Sequence, residues 1–165
     1  MAFTFTLSPY DSLDAGEKLN NTLDGSGKAY SLLAKVSFDG TQTNGDVIPL
    51  GIVHGSDVFV DGGYGNDALS GLTDLDIGLY DFDGNEIDKD FFVDGDSLAT
   101  AQATRYGDNA MSATNVSDIV DSTSKLGDLA AGLSTTESYV LAATVNTAGS
   151  ASGDFVVKYD IIRQN

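Results

Sequence analysis

Apolar side chains recur at every second position in segment after segment of this chain, whereas the i, i+3, i+4 spacing of an amphipathic helix is nearly missing. Successive side chains of an extended strand point to opposite faces, so this periodicity restricts the fold to sheets with one face turned inward. Phe3, Phe5 and Leu7 alternate with Thr4 and Thr6, which makes the N-terminus a short strand or an extended arm. Strands are expected over 29–38 (AYSLLAKVSF), 46–53 (DVIPLGIV), 56–60 (SDVFV), 74–82 (DLDIGLYDF) and 87–93 (IDKDFFV). Tyr139, Leu141, Ala143 and Val145 mark another, and Phe155, Val157, Tyr159 and Ile161 the last. Pro49 cannot donate to a ladder and points to a sheet edge or a bulge. Residues 97–113 fit a short helical turn or a loop, and 115–120 (NVSDIV) a weakly patterned strand. Eight or nine short strands without intervening helices indicate an all-β fold, an antiparallel β-sandwich of jelly-roll type. Residues 1–27 are then an N-terminal arm and loop, and 28–165 the sandwich.

A chain of 165 residues is one domain's length, enough to bury roughly 70% of its unfolded surface in a core. Cysteine is absent, which removes disulfides, thiolate nucleophiles and cysteine-ligated zinc. Twenty-five Asp and Glu against eight Lys and Arg give a formal charge of -17, a field that opposes phosphate backbones and anionic lipid. Neither nucleic acid nor a membrane is an expected partner. The opening MAFTFTLSPYDSLD has no basic n-region and no long apolar stretch, so no export signal is expected. Hydrophobic residues make up 41%, too many for a disordered acidic chain, and 19 glycines imply many turns.

The densest acidic stretch is DIGLYDFDGNEIDKDFFVDGD, residues 76–96, with eight carboxylates around Asp83-Gly84-Asn85. An EF-hand loop starting at Asp81 would place Asp81, Asp83 and Asn85 at positions 1, 3 and 5, but Glu86 replaces the required glycine and Phe92 the bidentate glutamate. A hairpin with its acids in solvent accounts for the same residues, since Asp-Gly and Gly-Asn tolerate positive φ. Asp81, Asp83, Asn85 and Asp88 remain as a candidate set for an accessory calcium ion, the one cofactor the residues admit. Leu75, Ile77 and Leu79 are expected to face the core, with Asp74, Asp76 and Tyr80 on a wet outer face.

No constellation supports catalysis. His54 is the single histidine, no G-x-S-x-G elbow accompanies it, and beside Gly55 it reads as a polar turn residue. DGSGK, residues 24–28, lacks phosphate-loop spacing, and the glycines of GGYG (62–65) lack a strand-to-helix context and read as loop. Paired carboxylates for glycoside cleavage need a shared cleft, which acid abundance alone does not indicate. Arg105 and Tyr106 are either a partner contact or an ordinary surface pair. The arm bearing Phe3, Phe5 and Leu7 either pairs with a neighbouring subunit or forms an edge strand of its own sheet.

In order along the chain come Gly45-Asp46-Val47-Ile48, His54-Gly55-Ser56-Asp57-Val58, Leu75-Asp76-Ile77-Gly78-Leu79, Phe92-Val93-Asp94-Gly95 and Ser152-Gly153-Asp154-Phe155-Val156-Val157. This succession of glycine-led steps, over about residues 28–162, resembles the small virion structural proteins of tailed phages. The resemblance implies a jelly-roll decoration or cement protein without catalytic residues, a homotrimer bound to the major capsid protein. It also implies a place on the capsid exterior after synthesis in the host cytoplasm. The chain departs from that pattern in its acidity and in the EF-like insertion at 81–88. Two alternatives stand beside this reading: a tail or neck component of the virion, and a calcium-dependent β-sandwich module. The latter rests on LDIGLYDFDGNEID, which resembles the central hairpin of pre-peptidase C-terminal domains.

Overall fold

The computed structural model of the chain describes residues 28–105 and 133–163. They form eight strands: β1 (Lys28–Asp39), β2 (Asp46–His54), β3 (Asp57–Asn66), β4 (Asp74–Tyr80), β5 (Glu86–Asp96), β6 (Gln102–Arg105), β7 (Ser138–Thr147) and β8 (Ser152–Arg163). Their antiparallel pairs nest, β1 with β8, β2 with β7, β3 with β6 and β4 with β5, like one long ribbon folded over on itself. Further pairing of β3 with β8 and of β4 with β7 closes two four-stranded sheets, β1-β8-β3-β6 and β2-β7-β4-β5. Eight antiparallel strands in this winding are a jelly roll, as the alternation predicts.

The core lies between the sheets and is built from every second residue of the long strands. Leu75, Ile77 and Leu79 of β4 and Tyr139, Leu141, Ala143 and Val145 of β7 face Phe155, Val157, Tyr159 and Ile161 of β8 across it. At its centre Phe59 of β3, Phe92 of β5 and Tyr159 of β8 form a triangle of rings with centroids 5.0–5.1 Å apart. Phe92 comes from one sheet and the other two from its opposite, so tilted and edge-on ring contacts tie the sheets directly together.

Pro49 meets both expectations at once. Its strand is an edge of the second sheet, and the β2–β7 register slips between Pro49 and Gly51. Two segments differ from the sequence-based expectation. The GGYG stretch is no loop but the middle of β3, where Gly63 pairs with Arg105 and Lys158, and Gly65 with Ala103 and Val156. Ladder bonds on both sides hold an extended backbone that glycine alone would not favour. Residues 102–105 of the segment expected as helical turn or loop are strand β6. The N-terminal arm, 1–27, and the NVSDIV segment lie outside the described residues.

Candidate functional site

The outer faces of the two sheets have opposite character, and this contrast organises every candidate site. On the β1–β8 face, cross-strand neighbours are charged and hydroxylic. Lys35 lies 2.7 Å from Asp154, which also accepts from Ser37 Oγ at 2.7 Å. Lys158 lies 2.8 Å from Asp160, to which Ser31 donates as well. Lys35 draws the Asp154 carboxyl below its ordinary value, and Lys158 does the same to Asp160. Such exposed pairs add little stability but keep the face wet.

The outer face of the second sheet is dry along its central strands β4 and β7, contrary to the sequence-based expectation. β7 is buried without interruption from Tyr139 to Val145, and Asp76 on the outward side of β4 is only 2% exposed. Val140 and Ala142 pack there with Tyr80, flanked by Val47. The cover comes in part from β5. Between paired positions Leu79–Asp88 and Ile77–Val93 the register moves two residues along β4 but five along β5, so β5 bulges. The bulge lies on Gly78: a side chain there would overlap the backbone of Asp88 and Lys89. A glycine inside a strand marks such an approach of another backbone.

Lys89, leaving this bulge, reaches back over β4. Its ammonium lies 3.2 Å from Asp76 Oδ2 and donates to Asn146 Oδ1 at 3.3 Å. Asn146 Nδ2 donates to Asp76 Oδ2 at 2.6 Å and to Asp74 Oδ1 at 2.9 Å, while the Gly95 N–H donates to Asp76 Oδ1 at 2.7 Å. The Asp76 carboxylate holds the Lys89 ammonium above its ordinary pKa. Next along the face the Tyr80 hydroxyl and Thr144 Oγ1 are 2.6 Å apart, and burial pushes the Tyr80 hydroxyl pKa up. A buried carboxylate with a cation, an amide and a backbone donor is satisfied, so the network locks β5 onto β4 and β7.

The β4–β5 turn uses its acids locally. Asp81 accepts from the Asn85 N–H at 2.8 Å and from Asn85 Nδ2 at 2.7 Å, and Gly84 takes φ +84°. Asn85 thereby holds the Asp81 carboxyl below its ordinary range. Asp83 is exposed in the turn, and Asp88 is half-buried on β5 opposite Leu79. Burial, followed by the adjacent Asp90, pushes Asp88 up to about 6. Among the described residues, no three His, Asp or Glu side chains are grouped so as to hold a metal ion. Asp81 and Asn85 are brought together, with the Asp81 carboxylate accepting from both the backbone and the side chain of the residue four places on.

His54 ends β2 inside a similar local cap. Its Nδ1 lies 2.8 Å from Ser56 Oγ and accepts the Ser56 N–H at 3.1 Å. The buried Asp57 carboxylate accepts the His54 backbone N–H at 2.7 Å and the Tyr30 hydroxyl at 2.6 Å. Ser, His and Asp are adjacent, yet the serine and aspartate bond to a turn rather than prepare a nucleophile.

Of the expected interface residues, Arg105 ends β6 opposite Gly63. Phe3, Phe5, Leu7 and Tyr106 lie outside the described residues. The large apolar side chains exposed among the described residues are Leu33 at 66%, Phe82 at 44% and Ile52 at 38%. Sequence reasoning missed Leu33 and the Asp76–Lys89–Asn146 lock. The doublet Leu32-Leu33 held a signal, because one of two adjacent leucines on a strand must face outward.

No protein-family model and no curated protein sequence matches the chain. Among solved structures, two phage-capsid chains illustrate the shared fold. A chain in a structure of the capsid of Ralstonia phage GP4 superposes with a TM-score of 0.60 at 14% identity, covering 90% of this chain and 92% of that one. A chain from the capsid asymmetric unit of cyanophage Pam1 gives 0.55 at 15% identity, covering 90% of this chain and 95% of that one. Each neighbour is thus matched over nearly its whole length by one jelly roll of this size.

Proposed function

We propose that the chain is a non-enzymatic structural protein of a phage virion, a decoration or cement subunit on the outside of the capsid shell. The observation that carries this reading is the agreement of the whole jelly roll with two phage-capsid chains of nearly the same extent. Three further features support it. The polar caps around His54 and Asp81 serve turns, and no catalytic grouping emerges from them. A charge of -17 suits a surface that meets protein and solvent rather than packaged nucleic acid. A network-locked outer face beside a zipped polar one gives a rigid slab able to bridge neighbouring shell subunits.

In this reading the partner is the major capsid protein. Many weak contacts from repeated copies sum to firm attachment, as multivalent binding does. The arm residues Phe3, Phe5 and Leu7, with Arg105 and Tyr106, are the proposed bridging groups, in a homotrimer such as the family resemblance implies. Cryo-electron microscopy of virions carrying this chain tests the proposal: jelly-roll density is expected on the outer shell surface. Density confined to the tail or neck would move the chain to that part of the virion, and its absence from the particle would overturn the structural reading.

A further inference from the structure

A β-sheet edge is a row of unpaired backbone groups, and proteins ordinarily blunt such edges with prolines, bulges or brevity. Three of the four edges described here are blunted in that way. β2 carries Pro49 and a register slip, β5 departs from its register with β4 three times, and β6 has four residues. β1 is the exception: it pairs with β8 through twelve successive residues without a slip, and among the described strands β8 is its one ladder partner. At the middle of its outward side stands Leu33, the most exposed of the large apolar side chains described.

We propose that β1 pairs with β1 of a second copy, antiparallel about a two-fold axis at Leu33, joining the two β1–β8 sheets into one. The sequence of β1 is self-complementary about that point. In this register Leu33 meets its own counterpart, and Ser31 on the same face meets Lys35. That arrangement brings each Lys35 toward the strand pair where Ser31 bonds Asp160, so cations and carboxylates alternate across the joint. On the inward side Leu32 meets Ala34 and Tyr30 meets Val36, large against smaller, which continues the core without crowding. The contact is isologous, so each copy uses the same surface, and it doubles whatever other assembly the chain forms. The inference does not depend on the virion reading.

Light scattering of the purified full chain is the first test. The expected mass is an even multiple of the 17.2 kDa chain, and Leu33→Lys halves it while leaving the far-ultraviolet dichroism unchanged. A mass of one or three chains up to millimolar concentration, or an even mass that Leu33→Lys leaves intact, overturns the proposal. The second test uses the absence of cysteine in the native chain. Leu33→Cys is expected to form disulfide-linked dimers under mild oxidation, since directly opposed residues lie about 5 Å apart at Cβ. Ser37→Cys is not, because in this register the two copies of residue 37 are roughly 27 Å apart along the strands. Equal crosslinking at both positions, or none at Leu33→Cys, also overturns it.

Discussion

Lys89 of β5 and Asp76 of β4 form an ion pair at 3.2 Å on the outer face of a sheet, where the carboxylate is almost wholly buried. Removing one member of such a pair strands the other's charge. Lys89→Met is expected to lower stability by about 1–2 kcal/mol, less than for a fully buried pair because Lys89 is partly solvated and Asp76 keeps its Asn146 and Gly95 donors. Adding Asp76→Leu should restore part of the loss. Chemical denaturation of the two single variants and the double variant measures this, and strictly additive losses would show that the pair is not coupled.

Gly78 supports the Asp88–Lys89 backbone without a side chain between them. Gly78→Ala is expected to cost about 2 kcal/mol or more, because overpacking forces one strand to move. The shift should detach β5 locally. Faster hydrogen exchange confined to residues 86–96 would report it, whereas unchanged exchange would mean that the bulge relaxes freely.

Asp88 carries a carboxyl whose folded pKa is raised to about 6 by burial and by Asp90, with Glu86 adding to the effect. Its ordinary value is 3.8, so between pH 4 and 6 the folded state binds more protons than the unfolded one, and stability falls as pH rises through that window. Asp96, raised by burial, acts in the same direction. Asp81, Asp154 and Asp160 have lowered values and contribute stability that is lost only below this window, as pH falls through their folded values. The melting temperature is therefore expected to decline from pH 4.5 to pH 7, and Asp88→Asn should flatten most of that slope. A slope that survives the substitution would assign the effect elsewhere.

Phe92 is fully buried between Phe59 and Tyr159. Phe92→Ala should cost about 3–5 kcal/mol through the cavity it leaves, while Phe92→Leu should cost less. Equilibrium unfolding in urea distinguishes them.

The Asp81 carboxylate is occupied by Asn85. Millimolar calcium is accordingly expected to leave the melting temperature unchanged, since an ion that binds only the folded state would raise it. A calcium-dependent rise abolished by Asp83→Asn and Asp88→Asn would assign Asp81, Asp83, Asn85 and Asp88 as an ion site.

Strand content was legible because inward side chains such as Leu75, Ile77 and Leu79 repeat at the period of an extended backbone, a local property. Asp76 misled for the same reason. By position it belongs to the outward row, and nothing near it in sequence shows that Asn146, 70 residues away, will bond it. GGYG misled because its conformation is imposed by β6 and β8 rather than by its own residues.

By itself, then, the sequence determined that the chain is all-β, which residues of each long strand turn inward, that β2 meets an edge or a bulge at Pro49, and that its charge repels polyanions. These follow from side-chain alternation, the missing proline N–H, which by itself leaves edge and bulge both open, and a sum of formal charges, none of which needs a neighbour. The tertiary structure alone decided which strands lie side by side, and therefore that one outer face is zipped and wet and the other dry and locked. It also decided that β1 keeps the regular edge. Pairing brings together residues far apart in sequence, and burial is set by what covers a residue rather than by what precedes it.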